Sequence, residues 1–155
     1  DPYLNFAKTG AEEKTEKFDI VKMISNEVKK YKDININLFS DEKILFEGRK
    51  ELLKRCFNNL LENSMKYGDK INIKLKKLRK DLIIYFEDNG PGIPENEYEN
   101  VFKPFYKIDK SRSISKSSVG LGLSISSDII RSHGGKIELG VSRLGGLKIS
   151  VFLPF

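Results

Sequence analysis

Asp88-Asn89-Gly90-Pro91-Gly92-Ile93-Pro94 follows directly on the apolar run Leu82-Ile83-Ile84-Tyr85-Phe86, and this junction decides how the chain folds. An apolar run of that length closed by a glycine- and proline-rich segment reads as a strand that stops at a carboxylate. An aspartate in that place can accept from an exocyclic amine, which selects adenine over guanine. Gly90 and Gly92 let the backbone approach a ligand where a Cβ would collide, and Pro91 and Pro94 stiffen the turn. Read alone, the same residues serve equally well as an Asp-Asn-Gly turn of the kind that ends many strands.

Upstream, Leu53, Phe57, Leu60 and Leu61 give the apolar face of a helix from about Glu51 to Tyr67, with Gly68 as its stop. Asn59, Asn63, Lys66 and Tyr67 share a second face, offset from the first. Carboxamide oxygens are hard ligands that hold Mg²⁺ without adding negative charge beside phosphates, and a lysine meets phosphate as a point charge. A solvated polar face accounts for the helix alone just as well. Downstream, Gly120-Leu121-Gly122-Leu123 opens a helix over about 119–132, where backbone N–H groups and the positive dipole end suit phosphate. No strand leads into these glycines and no Walker lysine follows, so neither the dinucleotide fingerprint nor a P-loop fits. Between the two glycine clusters, Lys103, Lys107, Lys110, Arg112 and Lys116 are interspersed with serines. A basic flap over a phosphate site or an unstructured loop both fit that pattern.

The remaining elements alternate at strand or helix period. Asp19 caps a helix carrying Ile20, Val21, Ile24 and Val28 and ending near Lys32. Short strands are expected around Ile34–Leu38 and Ile44–Phe46. One hairpin joins Ile71–Leu75 to Leu82–Phe86 across Lys80-Asp81, and another joins Ile137–Leu139 to Leu147–Phe152 across Gly145-Gly146. The sum is an α+β, two-layer sandwich: a mixed sheet of about five strands with three helices on one face.

The 155 residues fit one domain, and 39% hydrophobic against 32% charged residues is enough for a core. The net charge of +6 suits an anionic partner or simply a solvated surface. A nucleic-acid binder needs aromatics interleaved with basic residues on a sheet face; Phe105 and Tyr106 with the loop lysines do this only over a few residues, so no nucleic acid is expected. The lone Cys56 allows no internal disulfide, and no run approaches the roughly 20 apolar residues of a membrane span. A first residue of Asp1 and the absence of a signal peptide read as a piece excised from a longer protein.

Four segments in order resemble the ATP-binding catalytic domain of bacterial sensor histidine kinases, a branch of the Bergerat-fold ATPases. Asn59 to Tyr67 is similar to the family's N box, Asp88 to Pro94 to its G1 box, Phe102 to Tyr106 to its F box, and Gly120 to Leu123 to its G2 box. The resemblance implies ATP and Mg²⁺ as cofactors. It implies metal held by Asn59 and Asn63, phosphate contacts from Lys66, Lys107 and Arg112, and Tyr67 stacked on adenine. It implies Asp88, Gly90, Gly92 and Ile93 around the base, and Gly120, Leu121, Gly122 and Leu123 cradling phosphate. Asn59, Asn63 and Lys66 would carry catalysis, moving the γ-phosphoryl to a histidine by positioning and charge neutralisation. That histidine lies on a separate dimerisation domain; the single His133, before Gly134-Gly135, is read as a helix-end residue.

Residues 1–17 are accordingly a remnant of the preceding dimerisation helix plus a linker, and 18–155 the catalytic domain. The implied partners are that dimerisation domain and a response regulator, with this domain alone a monomer. It would be cytoplasmic, its parent anchored in the membrane. Hydrolytic relatives activate water with a Glu four residues before the metal Asn, where this chain has Asn59, and Glu62 points elsewhere on the helix. Ser64 stands where the family usually has Ala, a change expected to cost little. An anti-sigma-type serine kinase or a non-catalytic nucleotide-binding module of the same fold is the alternative.

Overall fold

Alternation in the strands gives a sheet with one apolar and one polar face, and the helices cover the apolar one. A computed structural model describes residues 13–106 and 122–155. The elements are β1 (Glu16–Asp19), α1 (Ile20–Val28), β2 (Asn35–Phe39), β3 (Leu45–Gly48), α2 (Lys50–Tyr67), β4 (Lys70–Leu78), β5 (Asp81–Asp88), α3 (Gly122–Ser132), β6 (Lys136–Val141) and β7 (Leu147–Pro154). Five strands form one sheet in the order β2-β4-β5-β7-β6, and β1 pairs with β3 as a separate ribbon. Only β2–β4 is parallel in the main sheet, with α2 in the connection between them. The mixed sheet and the two-layer architecture therefore agree with the alternation pattern.

Ile71, Ile73 and Leu75 of β4, Leu82, Ile84 and Phe86 of β5 and Ile149, Val151 and Leu153 of β7 are buried beneath the helices. Their partners in the core are Ile20 and Ile24 of α1, Leu53, Phe57, Leu60 and Leu61 of α2, and Ile125, Ile129 and Ile130 of α3. Serines 124, 126 and 127 of α3 are also buried. These small side chains bring α3 close to α2: Cys56 Sγ lies 3.7 Å from the Ser126 carbonyl, and Ser126 Oγ lies 3.5 Å from the Cys56 carbonyl. Burial pushes the Cys56 thiol up to about 12, so it packs as a small hydrophobe and is inert as a nucleophile.

Local details differ from the sequence reading. Asp19 does cap α1, accepting from Val21 N–H at 3.1 Å, but the helix ends at Val28, four residues early. Within the stretch read as a linker, Glu16–Asp19 pairs with β3 and the Glu13 carboxylate accepts from Glu51 and Leu52 N–H at 2.7 and 3.1 Å. A carboxylate from outside the helix thus caps α2, whose own N-cap Arg49 makes no side-chain cap. The dimerisation-helix remnant at residues 2–6 lies outside the described residues.

His133 joins the end of α3 to the start of α2. Arg49 N–H donates to Nε2 at 3.0 Å, which requires that nitrogen to be unprotonated, and Nδ1–H then donates to the Ile129 carbonyl at 2.8 Å. Both nitrogens are engaged in a neutral ring, which argues against His133 as a phosphate acceptor. Burial first, and the nearby Arg49 charge, hold its pKa below the ordinary 6.5. The unfolded chain therefore takes up the proton first. The neutral ring's contribution to stability is complete above about pH 6.5 and is lost as pH falls toward the folded-state value. Urea unfolding at a series of pH values should show this loss, and His133→Gln should flatten the curve below pH 6.5.

Candidate functional site

β5 ends at Asp88, a carboxylate only 3% exposed. Gly90 N–H and Leu147 N–H donate to its Oδ1 at 2.9 and 3.1 Å, and Gly146 N–H donates to its backbone carbonyl at 3.1 Å. No side-chain cation pairs with it among the described residues. Burial raises its pKa, and the two backbone donors only partly offset that. All described hydrogen bonds to the carboxylate go to Oδ1, so Oδ2 keeps its lone pairs for a donor outside the chain.

Three glycines make room around this acid. A Cβ on Gly146 would sit 2.1 Å from Asp88 Oδ1, one on Gly90 would sit 2.8 Å from the Tyr67 carbonyl, and one on Gly68 would sit 2.9 Å from Asn89 Oδ1. Gly68 has an extended φ of −120°, so it ends α2 because of close packing and not because a left-handed turn demands it. Gly92 does take the left-handed conformation, at φ 76°. Asn89 latches the end of α2 to the loop: Asp69 and Lys70 N–H donate to its Oδ1 at 3.0 and 3.1 Å, and its Nδ2 donates to Asp69 Oδ1 at 2.7 Å. Gly146, Leu147 and Asn89 were missed as site residues. The signal for Gly146 was a second glycine where one suffices for a hairpin tip.

The packing of Gly90 against Tyr67 brings the last turn of α2 to the loop after β5. Tyr67 is 48% exposed, with Lys66 Nζ 5.5 Å from its ring centroid. Asn63 and Asn59 lie half-buried one and two turns further back, and neither carboxamide is hydrogen-bonded among the described residues. Two oxygen donors one turn apart fit a hard cation. Asn58, next in sequence, does a different job. Its Nδ2 donates to the buried Glu27 at 2.8 Å and its Oδ1 accepts from Tyr31 at 3.1 Å, locking α1 to α2. Glu62 is exposed and neighbours Tyr31, away from Asp88, as its helix position requires.

Ser64 corrects an expectation. Its Oγ is wholly buried and has no hydrogen-bond partner among the described residues. A hydroxyl in that state costs about 1–3 kcal/mol relative to Ala, which is not a small change.

Ile93 is half-buried against the core. Leu123 is buried in the first turn of α3, and Gly122, which opens that helix, has no described atom within 4 Å of where a Cβ would stand. No packing contact seen here demands a glycine at that position. Phe105 is 64% exposed at φ 65°, left-handed backbone that costs a non-glycine residue about 1 kcal/mol. Beside it Tyr106 donates its hydroxyl to Glu97. Lys107, Arg112, Gly120 and Leu121 lie outside the described residues. The structure therefore gathers Asp88, Gly90, Gly92 and Tyr67 at one end of the sheet, with Asn59, Asn63 and Lys66 on the adjoining helix.

Residues 48–155 match the family described as histidine kinase-, DNA gyrase B-, and HSP90-like ATPases. Sensor histidine kinase GtrS of Pseudomonas aeruginosa is 37% identical over 109 residues, which cover 70% of this chain and 22% of GtrS. The chain thus spans less than a quarter of that relative's length. Among solved structures, the mycobacterial sensor histidine kinase MprB superposes with a TM-score of 0.78 at 24% identity, covering 91% of this chain and 97% of that one. The ATP binding domain of PrrB from Mycobacterium tuberculosis superposes with a TM-score of 0.72 at 25% identity, covering 90% and 96%.

Two variants probe the Asp88 knot. Asp88→Asn keeps an acceptor for Gly90 and Leu147 and removes a buried charge, so the melting temperature should rise at neutral pH. The gain should shrink on acidification, as the wild-type carboxyl takes up its proton above the ordinary 3.8. Gly146→Ala should lower unfolding free energy by about 1–3 kcal/mol in a urea titration, because neither the carboxylate nor the backbone beside it can recede freely.

Proposed function

The chain belongs to the family of histidine kinase-, DNA gyrase B-, and HSP90-like ATPases, and from that premise we propose that it is the ATP-binding catalytic unit of a sensor histidine kinase. The observation that carries the reading is Asp88: a buried acid whose Oδ1 is held by two backbone donors while Oδ2 remains available. An adenine amine is the neutral donor that such an oxygen accepts without a counter-charge. Gly90, Gly92 and Ile93 form the wall of the base site, and Tyr67 lies over the ring. Lys66 reaches phosphate. Gly122 at the start of α3 is taken as a phosphate residue with Leu123 packed behind it, and the family resemblance assigns phosphate contacts to Gly120, Leu121, Lys107 and Arg112 as well.

Asn59 and Asn63 would hold magnesium, which when bound would neutralise charge on the phosphates. The chain's own work is positioning. Asp88 fixes the base, α2 fixes the metal side, and the γ-phosphoryl is left facing an incoming nucleophile. Two features favour transfer to a protein acceptor over hydrolysis. Asn59 occupies the place where a water-activating carboxylate would stand, and Glu62 faces Tyr31. The acceptor is a histidine on a dimerisation domain outside this chain, since His133 has both nitrogens engaged. A response regulator receives the phosphoryl next, and the parent protein is anchored in the membrane with this unit in the cytoplasm.

Asp88→Ala should weaken a fluorescent ATP analogue by about 10- to 100-fold, the worth of a hydrogen bond to a charged group, with the circular dichroism unchanged. Asn63→Ala should cut phosphotransfer to an added histidine-bearing dimerisation domain far more than it cuts ADP binding. Equal losses in the two assays would make Asn63 a wall residue and not a metal ligand.

A further inference from the structure

The segment 70–80, Lys-Ile-Asn-Ile-Lys-Leu-Lys-Lys-Leu-Arg-Lys, holds six cations and no acid. Six is also the net charge of the whole chain, so the remaining residues are balanced. The hairpin segment thus carries a charge equal to the whole chain's excess. Lys70, Lys74, Lys76, Lys77, Arg79 and Lys80 are all exposed, and none takes part in an ion pair among the described residues. β2 pairs with β4 only as far as Lys74, so the hairpin tip projects beyond its neighbour on that side.

Large apolar side chains share this face. Phe39 is the register partner of Lys74 and is 52% exposed; Leu78, beside the turn, is 47% exposed. Lysines on a projecting edge also deter strand-to-strand aggregation, but exposed Phe and Leu beside them work against that purpose.

We infer that the β4–β5 hairpin tip is a docking surface for an anionic lipid bilayer, its cations meeting headgroups and Leu78 entering the acyl boundary. Charge complementarity and the exposed Leu78 argue for this occupant. Five of the six cations are lysines, point charges without the forked geometry that reads a fixed array of carboxylates. Nucleic acid fits less well. Two aromatic rings on the same sheet face are already covered, with Lys148 Nζ 4.6 Å from the Tyr85 centroid and Lys136 Nζ 5.0 Å from that of Phe152, and the exposed Phe39 alone is too little for a run of bases to stack on.

The geometry leaves the nucleotide site accessible. Leu78 pairs with Asp81 at one end of the hairpin and Ile71 with Asp88 at the other. Seven residues of strand separate them, about 23 Å. A tip on the bilayer holds Asp88 well clear of the surface. The inference does not rest on which reaction the nucleotide site performs.

The test is flotation of the 155-residue chain with vesicles. Vesicles of phosphatidylcholine and phosphatidylglycerol at a ratio of about 3:1 are compared with phosphatidylcholine alone, in roughly 0.1 M salt. The wild type should float with the anionic vesicles only. The variant Lys74→Gln/Lys76→Gln/Arg79→Gln/Lys80→Gln should bind them at least about 100-fold more weakly, and Leu78→Ser alone about 5- to 10-fold more weakly. Unchanged melting and unchanged binding of the fluorescent ATP analogue would show that each variant is folded. Equal flotation of wild type and the fourfold variant would overturn the inference. So would equal affinity for both vesicle types, or displacement from anionic vesicles by a 30-nucleotide single strand at about equimolar phosphate.

Discussion

A buried carboxylate with no cation beside it among the described residues is the constraint from which the rest of this structure follows. Among the described residues, backbone N–H groups alone hold Asp88, and they fit because Gly146 has no Cβ to meet its carboxylate and Gly90 none to meet Tyr67. Gly90 in turn lies against Tyr67, so the acid, the loop and the last turn of α2 form one unit. A protein selected for stability alone would place an apolar residue or a salt bridge there. Burial of a charge with no cation beside it among the described residues is the mark of a site whose partner arrives from outside.

The same division between holding and acting runs along α2. Its apolar stripe enters the core through Leu53, Phe57, Leu60 and Leu61. Asn58, on one flank, ties α1 to α2 through Glu27 and Tyr31. Burial alone would raise the Glu27 pKa, but hydrogen bonds from Asn58 and Lys30 outweigh it and hold it low, so the carboxylate stays ionised as a structural acceptor. Asn59, on the other flank, has no such tie. Two adjacent asparagines of one type thus differ in role because they lie about 100° apart around the helix.

Most elements were legible because their burial is one-sided. Alternation is strict in Ile71–Leu75, and Leu82, Ile84 and Phe86 continue the same covered face although Ile83, on the other face, is buried as well. The acid and its loop were legible for a related reason, since glycine and proline punctuate the end of an apolar strand. What escaped the sequence depends on contacts between distant segments. Glu13 caps α2 across 38 residues, Leu147 N–H reaches Asp88 across 59, and His133 reaches Arg49 across 84. Local pattern carries no trace of such pairs. Ser64 escaped for the opposite reason: its cost comes from a partner that does not exist among the described residues.

The β4–β5 hairpin carries both extremes of this molecule's electrostatics. At one end a negative charge is buried and screened from water, where the low local dielectric makes each donor count. At the other, cations stand in solvent, where each contributes little alone and a group of them attracts any extended anionic surface. Continuous pairing from Leu78–Asp81 to Ile71–Asp88 fixes the distance between the two ends. The acid needs an enclosing protein around it to be selective, whereas the cations need none. Only the first end is therefore covered by helices and glycine turns, and the second is left projecting past β2.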